Sequence, residues 1–316
     1  MKYGHQTTLR NEVLIEGKGV HGNMPVRIVL RPDAVNAGIR FLRTGLKSGH
    51  ERLLRAHWSE VGMTRLCTVL GHDNTGSVGT VEHLMAALRG LGLDNVLVEV
   101  DGPEVPILDG SAQDFVEMID EAGIVEQKAA RRCLKILKSV RIEEGAGFAE
   151  LAPARRGFKL DVAIDFANPV IGAQRYEMEL EAKKFRNDIA GARTFGFVSD
   201  VKKLWEAGLA QGSTLQNSVA IEGDRILNPE GLRFKDEFVR HKLLDAIGDL
   251  ALAGAPLIGS YKSLRGGHKM NVGVLEALFA DPSAYAYVQD SLPSRPMVGQ
   301  AELGLAGAAT FAPGID

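Results

Sequence analysis

Between Thr80 and Asn95 the stretch TVEHLMAALRGLGLDN sets Val81, Leu84, Met85, Leu88 and Leu91 at helical spacing, which predicts an amphipathic helix facing a core. The same period runs through AQDFVEMIDEAG, DVKKLWEAG, EFVRHKLLDAIGDLAL and MNVGVLEALFAD, most of them with glycine near one end. From Asn11 to Leu30, β-branched alternation predicts two strands, NEVLIEG and PVRIVLRP. Further strands are expected in TRLCTVL, NVLVEV, LKILKSVRIEE, FAEL, FKLDVAIDF and NSVAIEG. Strands come in clusters followed by helices, an order that suits α+β layers rather than a regular βαβ alternation.

The segment EQKAARRC, Glu126 to Cys133, is polar, basic and free of apolar periodicity, and reads as a boundary. The halves it separates each run from strands into a helix whose first turns carry a histidine among apolar residues, EHLMAAL in one and RHKLLDAI in the other. Two similar layered β/α domains meeting helix face to helix face would bring those histidines together at the interface. The expected division is 1–127, 128–300 and a small, apolar tail at 301–316, a candidate handle for a regulatory protease.

A chain of 316 residues that is 45% hydrophobic and 24% charged has ample material for such cores. Its net charge of −3, without a long Lys/Arg run, argues against a dedicated nucleic-acid or membrane-surface protein. Cys67 and Cys133 form no C-x-x-C pair, so a reducing compartment is the simplest reading. No window approaches 18 consecutive apolar residues, and MKYGHQTTLRNEVLIEG has no apolar run behind its basic residue. A cytoplasmic monomer is expected, one that takes any lipidic substrate from a membrane or carrier without spanning the bilayer.

GKGVHG fits the spacing G-x-G-x-x-G, but NMPVRIVL follows it as a strand where a dinucleotide fingerprint needs a helix. His21 in that turn is then a loop residue, beside a ligand or merely exposed. Neither G-x-S-x-G nor H-E-x-x-H occurs. The Glu82-His83 pair has two readings. It is an ordinary first turn, capped by Thr80 and favoured by the helix dipole, or it is a base beside a neutral imidazole ligand. His241 and Asp245 stand at i, i+4 on one helix face with Gly248 nearly aligned; they form a surface ion pair or share one cation. The apolar residues around them favour burial, and a buried His-Asp pair is costly without compensating charge. Gly266 and Gly267 present His268 from a loop, near a ligand or in solvent. In GARTFGF, Thr194 is a hydroxyl beside Phe195 and Phe197, which two core phenylalanines would also explain.

Taken together, GKGVHG, LCTVL, TVEHLMAALRGLGLDN, VPILDGSA, IDFANPV, GARTFGF, GLRFKDEFVRHKLLDAIGDL and GGHKMN make a chain that resembles the UDP-3-O-acyl-N-acetylglucosamine deacetylases of lipid A biosynthesis. The resemblance implies a zinc-dependent hydrolysis of the N-acetyl group of a UDP-linked acylated amino sugar. It implies that His83, His241 and Asp245 bind catalytic Zn²⁺, although a His₂Asp set also accepts Fe²⁺. Glu82 becomes the general base and His268 the general acid, oriented by Asp249. Thr194 becomes the donor to the oxyanion, and Lys242 a positive charge near the substrate. By the same resemblance Phe195, Phe166 and Asp165 contact the nucleotide sugar, with Phe197 alongside, and His21 lies near the sugar. An inserted βαβ unit, here Ser199 to Gly223, would wall an acyl passage, with Val201, Leu204 and Ala210 as lining. EEGAGFAEL lacks a lysine, so phosphate contact is expected from Lys242 or Arg265, and Arg65 stands where an apolar lip residue would suit the passage. Cys67 is an occasional ligand or a buried structural thiol. Other readings are a catalytically silent binding protein for nucleotide-sugar lipids and a deacetylase of a related N-acyl sugar.

Overall fold

The computed structural model describes residues 4–72 and 75–289. The first half contains β1 (Val13–Lys18), β2 (Pro25–Pro32), β3 (Ile39–Arg43), β4 (Arg52–Arg55), α1 (Glu82–Gly90), β5 (Val96–Val100) and α2 (Gln113–Ala122). Period-2 alternation makes the strands one-sided: Val26, Ile28 and Leu30 of β2 turn into the core while Arg27 turns outward. The sheet order is β1-β2-β5-β3-β4, with β5 and β3 the parallel pair.

The second half contains β6 (Val140–Glu144), β7 (Gly147–Ala152), β8 (Phe158–Asp165) and β9 (Ala173–Glu179). An inserted unit follows, β10 (Phe195–Phe197), α3 (Val198–Glu206) and β11 (Val219–Glu222), with β10 and β11 parallel. Then come α4 (Glu237–Leu250), β12 (Leu257–Leu264) and α5 (His268–Ala280). Within this sheet β6, β7, β12, β8 and β9 lie in that order, and β12 pairs in parallel with β8. Both halves therefore follow one plan, two hairpins and then a helix whose following strand enters between them. Strand Arg132–Ile136 pairs in parallel with the start of β12 and carries Tyr285–Gln289 on its other side.

The helices α1 and α4 pack directly on each other. Leu84, Met85 and Leu88 of α1 have no exposed surface, and such burial stabilises by roughly 1.5–3 kcal/mol per side chain. The approach is close because Gly248 of α4 lies under the α1 backbone: a Cβ there would stand 2.0 Å from the Glu82 carbonyl oxygen. Main chain cannot rotate out of the way, so Gly248→Ala should lower stability by about 1–3 kcal/mol or more through overpacking. Urea unfolding measures this, and an unchanged midpoint would mean the helices have slack.

Several expectations change. The polar segment read as a boundary is extended rather than irregular: Ile124–Ala130 pairs antiparallel with His5–Leu9, and Arg132 opens the next strand. Ile124–Ala130 is nowhere fully buried, so apolar alternation was not needed to make it a strand. LKILKSVRIEE divides into two strands. In TRLCTVL only Val69–Leu70 is extended, because Leu66 turns into the left-handed region at φ 66°. Thr80 is likewise left-handed at φ 56°, and Val81 is the cap residue of α1 without a side-chain cap bond, so the threonine does not cap the helix. His268 is the first residue of α5 rather than a loop residue. The βαβ insert begins at Phe195, four residues ahead of Ser199, the expected start. Among the described residues no helix is long and apolar enough to cross a membrane. The tail at 301–316 lies outside the described residues.

Candidate metal centre

The contact of α1 with α4 decides the chemistry of the interior. His83 stands in the first turn of α1, and His241 and Asp245 stand one turn apart on α4. One donor atom from each of the three lies within 4.8 Å of the others, and all three residues are buried. Asp245 Oδ1 is 3.4 Å from His241 Nε2 and 3.7 Å from His83 Nε2. That oxygen is buried and has no hydrogen-bond partner.

Burial, aided by His241, pushes the His83 imidazole down to about 3, and burial lowers His241 as well, so both rings are neutral. The His241 Nδ1–H donates to the Ala192 carbonyl at 3.0 Å, which leaves the Nε2 lone pair directed at the cluster. Burial works against the Asp245 carboxylate. The Lys242 ammonium, 2.8 Å from Oδ2, nevertheless holds it well below the ordinary carboxylate range. Two neutral imidazole lone pairs facing an unpaired anionic oxygen fit a divalent cation of the Zn²⁺ or Fe²⁺ kind.

Two further groups can move protons beside this cluster. The Glu82 carboxyl is raised to about 7, first by burial, with His268 opposing and Asp249 and Asp245 adding to the rise. Its Oε2 accepts from the Thr68 backbone N–H at 3.0 Å. His268 Nε2 is 3.9 Å from Glu82 Oε1 and 4.0 Å from Asp245 Oδ2. Burial would lower His268, but Asp249 and Glu82 overcome it and the imidazole is raised to about 9. Its Nδ1–H donates to Asp249 Oδ2 at 2.9 Å.

These groups open into a cavity of about 430 Å³ that Thr194, Phe195, Lys242, Arg265 and Leu66 also line. The segment of Thr194 and Phe195, leading into β10, is tied to the start of α4 by buried Arg193, whose Nε donates to Glu237 at 2.9 Å. Phe195 packs edge-on against Phe238 at 4.9 Å and Phe166 at 5.8 Å, and Phe197 lies 6.3 Å from Phe166. Of the expected nucleotide contacts, Asp165 and Arg265 are paired with each other at 2.5 Å on the surface. Leu66, exposed and one position after Arg65, lines this same cavity.

His21 and Cys67 line a second cavity of about 480 Å³, together with Met63, Val69, Gly208 and Leu209. Burial, then the charge of Glu82, pushes the Cys67 thiol up to about 12, and the donor cluster of His83, His241 and Asp245 does not include it. His21 Nδ1 accepts from the Ala210 N–H at 3.3 Å, and the His21 and Gly22 amides both donate to Glu104. Val201, Leu204 and Ala210 line neither cavity; Gly208 and Leu209 of the same insert line the second. Sequence reading missed Thr68, Asn271 and Glu104, which are uncharged or isolated in sequence. The i, i+3 spacing of His268 and Asn271 was the available signal.

Buried His₂Asp donors on two packed helices, with a carboxylate and an imidazole at their side, are the equipment of metal-dependent hydrolases. The comparison with known proteins narrows that class. The family model described as LpxC, UDP-3-O-acyl N-acetylglycosamine deacetylase, matches residues 6–280. Relatives from Brucella ovis, Brucella abortus (strain 2308) and Brucella melitensis biotype 2 bear the name UDP-3-O-acyl-N-acetylglucosamine deacetylase. Each is 47% identical over 286 residues, covering 90% of this chain and 99% of the relative. The chain belongs to this deacetylase family.

Proposed function

We propose that the chain hydrolyses the N-acetyl group of UDP-3-O-acyl-N-acetylglucosamine, giving acetate and the free amine in lipid A biosynthesis, with Zn²⁺ or Fe²⁺ held by His83, His241 and Asp245. The observation that carries this reading is the buried, unpartnered Asp245 Oδ1 facing two neutral imidazoles. Family membership supports the substrate.

An amide carbonyl is a poor electrophile at neutral pH, and water is a poor nucleophile. A divalent ion, when bound, polarises the carbonyl and lowers the pKa of a water from 15.7 to about 7. The chain's own residues do the rest. Glu82, poised at about 7 and anchored at Oε2, takes the proton of the attacking water at Oε1. The Thr194 hydroxyl, with the Lys242 ammonium nearby, donates to the oxyanion as it develops; one such donor contributes about 2.7–4 kcal/mol in enzymes where it has been removed. His268, protonated at neutral pH, passes its Nε2 proton to the departing nitrogen while Asp249 holds the imidazolium.

Phe195, Phe166, Asp165 and Arg265 are assigned to the nucleotide-sugar end. The acyl chain is assigned to the second cavity, between Met63 and Val69 on one side and Leu209 of the insert on the other. The matching sheet orders support two similar domains, 1–127 and 128–300, with the reaction at their interface. The expected setting is the cytoplasm, as a monomer. Purified protein should release acetate from a synthetic substrate, lose that activity on chelation and regain it with Zn²⁺ or Fe²⁺. Full turnover under chelator, or none from metal-loaded protein, overturns the reading.

A further inference from the structure

Asp249 has no exposed surface, and three donors converge on it, two from the first turn of α5 and one from the segment ahead of α1. Oδ2 accepts from His268 Nδ1 at 2.9 Å and from Asn271 Nδ2 at 2.8 Å, and Oδ1 accepts from Thr68 Oγ1 at 2.6 Å. The Asn271 amide has its own support, since the Tyr261 hydroxyl donates to Oδ1 at 2.5 Å. A hydroxyl donating to the amide oxygen fixes which way the amide faces, so its NH₂ must point at Asp249. Thr68 reaches across from the other half of the molecule, and its backbone N–H binds Glu82 Oε2. One threonine therefore ties together the carboxylate proposed as base and the carboxylate beneath the proposed acid.

A carboxylate gripped on both oxygens keeps one orientation, and that orientation sets the imidazole ring it accepts from. We infer that Thr68 and Asn271, backed by Tyr261, are positioning residues that clamp Asp249 and through it aim His268 Nε2 at the departing nitrogen of the substrate. The inference rests on the deacetylase reading above. None of the three residues touches the proposed metal ligands in the hydrogen-bond network, so metal binding should not need them.

The test is a double-mutant cycle on the metal-loaded full chain. Thr68→Val keeps shape and removes the hydroxyl. It should lower kcat by about 10–100-fold, the range found when outer partners of a site are removed, with KM within about twofold and metal content unchanged. Thr68→Ser should restore most of the rate. In an Asp249→Asn background the same Thr68→Val change should cost less than about twofold, because the group it acts through is already impaired. If Thr68→Val fails to fold, Tyr261→Phe, which deletes one hydroxyl, should show the same pattern at about 3–10-fold. Equal losses in both backgrounds, or kcat unchanged, overturn the inference in favour of plain packing. If the parent protein releases no acetate, the deacetylase reading fails by itself, and the clamp is then read from the ¹⁵N signal of His268 Nδ1–H. That signal should be sharp in the parent and shifted or broadened in Thr68→Val; an identical signal in both overturns the clamp.

Discussion

Asp245→Ala protein should purify with metal at background level and lose deacetylation by at least about 10³-fold, because the activation of water rests on the ion it no longer holds. The position is exacting for a reason visible in its surroundings. Asp245 is the anionic member of the donor set, and its Oδ1 faces both His241 and His83 within 3.7 Å. Without it, two neutral imidazoles remain beside the Lys242 ammonium, and that positive charge repels a dication. Asp245→Asn separates charge from shape: it keeps the volume and an amide oxygen but removes the anion, and it should also lose metal. Metal content by atomic absorption beside acetate release checks both variants. Turnover near normal in metal-free Asp245→Ala protein would remove the ion from the reaction altogether.

Local pattern carried much of this site. Glu82, His83, His241 and Asp245 sit on helices whose apolar period is strong, and i, i+4 spacing alone places His241 and Asp245 on one face. What no local pattern carries is the encounter of the two helices. It depends on Gly248, which sequence places nearly in line with His241 and Asp245 and whose missing Cβ admits the Glu82 backbone. The repeat of sheet order between halves was hinted at by two histidine-bearing helices and became plain only from strand pairing, because short strands such as Ile39–Arg43 and Arg52–Arg55 give weak alternation. Thr68 was hidden for another reason: it lies in a stretch read as strand. In the folded chain both of its donors leave the strand pattern and serve carboxylates that are 14 and 181 residues away in sequence. Polar residues that serve other polar residues carry no period, and sequence reasoning passes over them.

Glu82→Gln should keep its metal and still lose at least about 10²-fold in kcat, which sets it apart from the ligand variants. The amide preserves the side chain's length and its acceptor toward the Thr68 N–H, but it cannot take a proton. The pH profile sharpens the assignment. Burial raises the Glu82 carboxyl to about 7, so the base form is lost as pH falls through that value and the rate falls with it. His268, raised to about 9 against Asp249 and Glu82, must be protonated to act as acid, so the rate falls again as pH climbs past that value. A bell-shaped profile is expected, and both limbs belong to the interacting pair rather than to either residue alone. A cation in the cluster draws both limbs toward lower pH by adding positive charge beside them. In Glu82→Gln the lower limb should vanish while the upper one persists. If instead the variant keeps both limbs and loses only amplitude, the group titrating on the acid side is not Glu82, and another acceptor takes the proton from water.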